Sequence, residues 1–396
     1  MRTPLKALVL LGAIAAAMPS QADTSIEKMK QFKVATTDLS LPPVPQTGAN
    51  ADAIKKNLAK IKLPAGFKIA LYAVVPDARH MAVAPSTNML FVGTRKTTVW
   101  AVTDRNSDGI ADEVKNFAPS LNFHNPNGVC WTKDGFLIVA EHNRVLNFPA
   151  AEFFYEGPDV AVIEVVPQGK LIPTEEESFN HGARTCRIGN DGKLYVTMGQ
   201  PFNVPPKDKL DLYASLGMGG VIRMNAFDGS GREVIARGMR NPVGIAMNPK
   251  DGTFWTTDNQ TDGMGDDIPP GELNHLTKTG AHYGYPWYCG HAKVTDAAAG
   301  YDLSKMPEPK DLVWPQAEFV PHAADLGLTF YDKKAFPAKY QGGMFVAEHG
   351  SWNRTVPSGY KVLFVPLKAD GNAGTPEVFA DGFLDSETGI ALGRPV

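Results

Sequence analysis

An all-β propeller is the fold this sequence predicts, and three observations predict it. One phrase recurs: a strand of small residues, a polar turn usually built on Asp-Gly, then a second strand ending in a polar cluster. It reads NGVCWTKDGFLIVAEHN from Asn127, GARTCRIGNDGKLYVTMGQ from Gly182 and VGIAMNPKDGTFWTTDN from Val243, with looser copies from Met81 and Leu326. Within each copy two short alternating apolar runs flank the turn, the signature of a β-hairpin. The copies are spaced as propeller blades are, each blade one small antiparallel sheet. Composition agrees, with 38 glycines, 31 prolines and few long helical patterns. A propeller brings one loop per blade to a central channel, so residues distant in sequence can face one ligand.

The N-terminus reads as an export signal over residues 1–22. Arg2 and Lys6 form a basic start, Ala7 to Met18 an apolar run, and Ser20-Gln21-Ala22 a small-x-small cleavage site. That places the mature chain in the periplasm or outside the cell. The apolar run is shorter than the roughly 20 residues of a spanning helix, and no other stretch predicts a membrane span. Residues 23–63 form a leader with a Pro-rich LPPVPQ and a helical ADAIKKNLAKI. LPAGFKIALYA then opens the first strand of a propeller domain covering 64–396. Two long insertions, Pro205 to Leu216 and Asp262 to Met306, leave the same end of their blades, where long loops tend to carry function.

With 39 basic against 42 acidic residues the formal net charge is −3. Nothing here makes the basic footprint that nucleic acid requires. Of the three cysteines, Cys130 and Cys186 sit at matching places in adjacent copies, and an oxidising compartment allows one disulfide. Their positions on inner strands favour buried free thiols, with Cys289 a third. No Cys-x-x-Cys-His occurs, so no c-type haem is attached to this chain.

The chemistry-bearing residues stand just before or after the copies. His181, within NHGAR, sits where a loop meets a strand beside glycine; a neutral imidazole there suits a general base, while a satisfied structural histidine is the plain alternative. Arg240, followed by Asn241, carries a forked charge suited to a carboxylate or a developing oxyanion, or to an inter-blade ion pair. After the Val243 copy, DNQTDGMGDDIPPGELN gathers Asp258, Asp262, Asp266, Asp267 and Glu272. Crowded carboxylates of this kind suit calcium. Asp104, Asn106, Asp108 and Asp112 alternate around Gly109 like the first half of a calcium loop. Lys115 stands where an EF-hand needs its bidentate glutamate, so an acidic hairpin turn with Asx bonds is the alternative. His124 and Asn125 before one copy, and His349 to Arg354 after another, repeat the same polar pattern. A planar, multiply anionic ligand in the channel would account for it.

Three blocks carry a family resemblance: NHGARTCRIGNDGKLYVTMG, ARGMRNPVGIAMNPKDGTFWTTDNQTDGMGDDIPPGELN with AHYGYPWYCG, and FVAEHGSWNRTVPSGYKVLFVPL, with the final GRPV. They resemble the soluble quinoprotein sugar dehydrogenases, and more closely the sorbosone dehydrogenase branch. The resemblance runs from about Gly66 to the end. It implies a six-bladed propeller with pyrroloquinoline quinone and Ca2+ in the channel mouth, oxidising sugar hydroxyls or aldehyde hydrates and passing electrons to a separate cytochrome or quinone acceptor. By match, His181 would take the hydroxyl proton while hydride passes to the quinone C5. Arg240 and Asn241 would hold the quinone oxygens. Gln260 and Thr261 would offer backbone carbonyls to calcium, and Arg354 and Arg394 would pair with the cofactor's carboxylates. The family's base-orienting aspartate is replaced here by Gln200, which can orient imidazole but cannot balance imidazolium charge.

Two rival readings differ in what they require. A calcium-dependent lactonase on a six-bladed propeller would want a ring of Glu, Asn and Asp on one metal and no arginines for a quinone. A non-catalytic propeller that binds a partner would leave the channel residues replaceable. Gly393-Arg394-Pro395-Val396 matches the opening of a sixth copy without its turn or second strand. The last blade is therefore expected to be incomplete, with exposed strand edges that invite association, for example as a homodimer.

Overall fold

The computed structural model describes residues 41–156 and 160–396, together with the backbone of the strand β1 (Phe32–Ala35). The predicted signal peptide lies outside the described residues. The fold is an all-β propeller, with five four-stranded antiparallel blades among the described residues.

Blade 1 comprises β2 (Ala78–Val83), β3 (Leu90–Thr94), β4 (Val99–Thr103) and β5 (Glu113–Phe117). Blade 2 holds β6 (Gly128–Trp131), β7 (Leu137–Glu141), β8 (Arg144–Phe148) and β9 (Val160–Val166), with β1 added outside β9. Blade 3 is β10 (Cys186–Ile188), β11 (Leu194–Met198), β12 (Gly220–Met224) and β13 (Glu233–Arg237). Blade 4 starts with β14 (Pro242–Met247), β15 (Phe254–Asp258) and β16 (Gly271–Leu276). A long excursion follows, in which β17 (Ala281–His282) pairs in parallel with β13 and β18 (Tyr288–Cys289) pairs with β19 (Ala292–Lys293). It returns as β20 (Ala317–Phe319), the outer strand of blade 4. Blade 5 is β21 (Asp325–Phe330), β22 (Met344–Glu348), β23 (Lys361–Val365) and β24 (Glu377–Ala380).

All five sequence copies fall on the first two strands of a blade. Their Asp-Gly turns work as the sequence suggests: Gly135, Gly192 and Gly252 adopt φ of 80°, 72° and 77°, the left-handed region that glycine enters without strain. Second strands such as β7 and β11 are buried along their whole length, between the strands of their own blade and the neighbouring sheets. Apolar clusters fill the seams rather than the blades. Phe91, Phe117, Leu137 and Phe148 join blades 1 and 2, and Ile138, Val196, Met198 and Ile222 join blades 2 and 3. Val221, Ile245 and Tyr283 join blades 3 and 4, and Trp255, Leu328 and Val346 join blades 4 and 5.

Inner strands β2, β14 and β21 each carry a register shift in which one extra residue opposes the partner strand. Such bulges bend a strand and re-aim its side chains. At two of them glycine is required for close approach. A Cβ on Gly244 would collide with the Leu326 carbonyl, and one on Gly327 with the backbone of Val396. Successive inner strands therefore pack backbone to backbone around the channel, and Val396 lies against blade 5 as Leu326 lies against blade 4.

Three expectations need correction. Cys130 and Cys186 form a disulfide, with Cα atoms 5.8 Å apart, while Cys289 is a buried free thiol. Matching positions on adjacent inner strands face one another across the seam, so the inner-strand placement that suggested two separate core thiols brings them into bonding range. The staple adds to the blade 2–3 seam, a contribution of about 2–4 kcal/mol for a typical disulfide. LPAGFKIALYA forms no strand of blade 1. Lys62 instead pairs with Asp381 beyond β24, and Phe67 joins the Phe336, Tyr340 and Phe379 rings on blade 5. The second long insertion is also not all insertion, because it contains β16. The leader's helix, Ala49–Leu58, is where the sequence puts it.

Candidate active site

The blade lead-ins share a backbone feature just ahead of the inner strands. Asp77, Asn125, His181, Gly238, His322 and Ala324, each just before an inner strand, all have positive φ. For non-glycine residues this conformation is costly and clusters where function holds it in place. At His181, with φ of 52°, the surroundings enforce it. A Cβ on Gly199 would strike the His181 backbone and Asn241, and one on Gly182 would strike His142.

His181 Nδ1 lies 2.6 Å from the main-chain carbonyl oxygen of Gln200. The Nδ1 proton is therefore donated to that carbonyl, leaving Nε2 as the basic nitrogen. The ring lines a central cavity of about 600 Å³. Burial, then the charge of Arg240, lowers its pKa to about 3; the Gln200 bond opposes this, and Arg95 and Arg184 add to it. The imidazole is thus neutral at any ordinary pH. Gln200 orients it through its backbone, while its side chain is spent on the main chain of Phe202. A change of residue type at position 200 therefore leaves the orienting group in place.

Arg240 lines the cavity and is paired: Nη2 donates to Asp262 Oδ2 at 3.0 Å and to Asn203 Oδ1 at 2.8 Å, and Nε to the Asn203 carbonyl at 3.1 Å. The ion pair Arg240 makes lies within blade 4 rather than between blades. Asp262 also accepts from Asn353 Nδ2 at 2.6 Å. Loops of blades 3, 4 and 5 are tied together at this point. Beneath it, Asp258 accepts the backbone N–H groups of Arg240 and Asn241 at 2.8 and 2.7 Å, fixing the strand lead-in. Asn241 lines the cavity, and its Oδ1 is buried without a hydrogen-bond partner among the described residues.

The acidic run after β15 separates into three environments. Asp258 and Glu272 are buried and face one another across β15 and β16. Burial raises the Glu272 pKa to about 8, with Asp258 adding to it, and burial also raises Asp258. Glu272 Oε2 accepts from Asn274 at 2.8 Å, and Oε1 accepts the Gly290 N–H. Asp262 faces the cavity. Asp266 and Asp267 lie outside it, where Arg354 bonds to the Asp266 carbonyl and to Asp267 Oδ1 at 2.9 Å. Arg354 is therefore engaged with this loop and does not line the cavity, whereas Arg394 does. His124 and Asn125 also stand off: His124 stacks on His142, and Asn127 is the lining residue of that lead-in.

Gln260 and Thr261 are buried immediately before Asp262, so two carbonyls and one carboxylate share a short segment. That donor set fits calcium in kind and supplies a minority of the six to eight oxygens calcium takes. The Asp104–Asp112 loop spends its oxygens locally: Asp104 accepts from Gly109 N at 2.9 Å, Asp108 from Ile110 N at 2.8 Å, and Asp112 from Arg105 N at 2.7 Å and Asn106 Nδ2 at 3.4 Å. Among the described residues no group of three or more His, Cys, Asp or Glu is arranged to hold a metal ion. Nor is any helix there long and apolar enough to cross a membrane.

Arg79, Arg95, Asn203 and His322 also line the cavity and did not stand out in the sequence. Arg79 lies at the start of the inner strand β2 and His322 on the lead-in of β21, and nearness to the start of a copy was the available signal. Asn203 sits in a long loop and Arg95 beyond a second strand, where residue type alone gave none.

The sequence profile of the TrAA12-like family matches residues 61–383. The chain belongs to the TrAA12-like family. This TrAA12-like chain is similar in structure to the calcium structure of a Trichoderma reesei carbohydrate-active enzyme of family AA12, with a TM-score of 0.63 and 20% identity, covering 80% of this chain and 84% of that one. The holo pyranose dehydrogenase PQQ domain of Coprinopsis cinerea also gives a TM-score of 0.63, at 18% identity over 85% of this chain and 90% of that one. Likeness at these identities shows a shared fold. Among curated proteins, an uncharacterized protein of Borreliella burgdorferi is 32% identical over 57% of this chain and 56% of its own length. The aldose sugar dehydrogenase YliI of Escherichia coli is 26% identical over 42% of this chain and 44% of its own length. The matches thus span about half the length of these curated relatives.

Proposed function

We propose that this TrAA12-like protein is an exported, periplasmic oxidoreductase that uses pyrroloquinoline quinone and calcium to oxidise a sugar or sugar-derived aldehyde, of the aldose or sorbosone type. The observation that carries this is the cavity's lining: four arginines, Arg79, Arg95, Arg240 and Arg394, against one side-chain carboxylate among the described residues, Asp262, with a neutral histidine among them. Of these, Arg240 and Arg394 suit a flat polycarboxylate, and the orphaned Asn241 Oδ1 marks a polar position that a ligand can complete. The relatives' printed names, a pyranose dehydrogenase PQQ domain and an aldose sugar dehydrogenase, support the same chemistry.

Arg240 and Asn241 would hold the quinone oxygens, Gln260 and Thr261 would turn carbonyls to calcium, and Arg394 would meet a carboxylate. The bound quinone supplies the two-electron acceptor for the hydride of the substrate's carbinol carbon. His181 Nε2 takes the hydroxyl proton, and the Gln200 carbonyl holds the ring in the tautomer that can do so. Arg240, fixed by Asn203 and Asp262, brings a preorganised positive charge to developing negative charge. A lactonase would present several carboxylates to one metal, and a single carboxylate among four guanidiniums speaks against it.

The six-bladed architecture belongs to this reading, with Gly393–Val396 at the start of a sixth inner strand. Reconstitution with pyrroloquinoline quinone and calcium should give dye-linked oxidation of a sugar or aldehyde panel. Lactone hydrolysis without quinone binding would replace the proposal with its rival.

A further inference from the structure

Two of the cavity's guanidiniums have no carboxylate partner among the described residues and no role yet. Arg79 donates from Nη1 toward His349 Nε2 at 3.4 Å. Arg95 reaches the Phe179 carbonyl at 3.4 Å, and its Nε is buried without any partner. Burial lowers the pKa of both, and for Arg79 the charges of Arg95 and Arg394 lower it further. Like charges gathered in a half-buried cleft cost free energy unless an anion joins them, and paired guanidiniums match a carboxylate's geometry.

Position says which molecule brings that anion. Arg95 is bonded to the residue two before His181, and its charge is felt at the His181 ring. The quinone-holding pair, Arg240 and Asn241, belongs to the blade 4 lead-in. A carboxylate held at Arg95, with Arg79 lining the same cavity, would lie near the base that takes the substrate's proton. The Arg95 guanidinium also lies 5.0 Å from the centre of the Phe179 ring, which is 74% exposed. Trp352, 77% exposed, lines the same cavity. An aromatic face beside a guanidinium suits a pyranose ring that bears an acid group.

We propose that Arg79 and Arg95 form a carboxylate subsite for the substrate, and that the substrate class is an acidic sugar such as a hexuronic acid. The proposal rests on the quinoprotein reading for the placement of the base, and its test separates the two. Equilibrium binding of D-glucuronate, D-glucose and pyrroloquinoline quinone is measured on the full chain and on Arg79→Gln and Arg95→Gln. The expected result is glucuronate bound at least about tenfold more tightly than glucose, with that preference lost in either variant. Equal binding of the two sugars by the wild-type chain would overturn the subsite without needing any variant. So would variants that lose quinone affinity by more than they lose glucuronate affinity, because the arginines would then belong to the cofactor. Glucuronate preference without quinone binding would leave the subsite standing and sink the quinoprotein reading.

Discussion

The two sides of the central cavity use the same residue type in opposite states of completion. On the blade 3 and 4 side, Arg240 is locked by Asn203 and Asp262, and Asp262 is locked in turn by Asn353. On the blade 1 side, Arg79 and Arg95 hold a histidine and a carbonyl and no carboxylate among the described residues. A compensated guanidinium is a fixed part of the machine, set before any ligand arrives. An uncompensated one stores unfavourable energy that a ligand can relieve. The difference separates groups that position chemistry from groups that select what is bound.

The largest effect is expected at the fixed side. His181→Ala should lower kcat by about 10³-fold while quinone binding, followed by absorbance, persists. Gln200→Ala should cost far less, because the carbonyl that orients the ring remains. A kcat loss at position 200 equal to that at 181 would show that the glutamine side chain does the orienting.

Stability measurements then test the contrast in compensation directly. Arg240→Gln leaves Asp262 with half its partners, and the unliganded protein should lose about 2 kcal/mol in denaturant unfolding, less than a fully buried pair because Asp262 is partly exposed. Arg95→Gln removes a charge that has no counterion among the described residues and should stabilise the unliganded protein by up to about 1 kcal/mol. Destabilisation by both substitutions would erase the distinction between the two sides.

The fold and half of the site were legible for the same reason. Asp-Gly turns and alternating apolar runs are local, so each copy marked a hairpin that the structure contains. Blade lead-ins are local too, which is how His181, Arg240 and Asn241 stood out. What sequence could not show is which neighbour answers a charged group. Arg354 looked as available as Arg394, yet Asp267 in a different blade claims it. Cys130 and Cys186 pair because adjacent inner strands face one another, a fact of blade order rather than of spacing. Arg95 and Asn203 gain their meaning only from the curvature that brings distant loops to one cavity.

The smallest expected effect is also the most diagnostic, because it reads both sides through one proton. His181 is depressed from the usual 6.5 to about 3, chiefly by burial and next by Arg240, with Arg95 a lesser contributor. A base with that pKa stays neutral through the whole neutral range, so the acid limb of kcat against pH should fall near 3 rather than near 6.5. The sign for stability follows from linkage. Below pH 6.5 the unfolded chain binds a proton that folded His181 refuses, so its contribution is complete above 6.5 and is lost as pH falls toward 3. Arg240→Gln and Arg95→Gln each remove a charge that resists protonation. Both should move the acid limb toward neutrality, Arg240→Gln by more, in the order of their influence on the ring. A larger shift from Arg95→Gln would mean that the unpaired blade 1 arginine governs the base, and that the side assigned to selection also takes part in the chemistry.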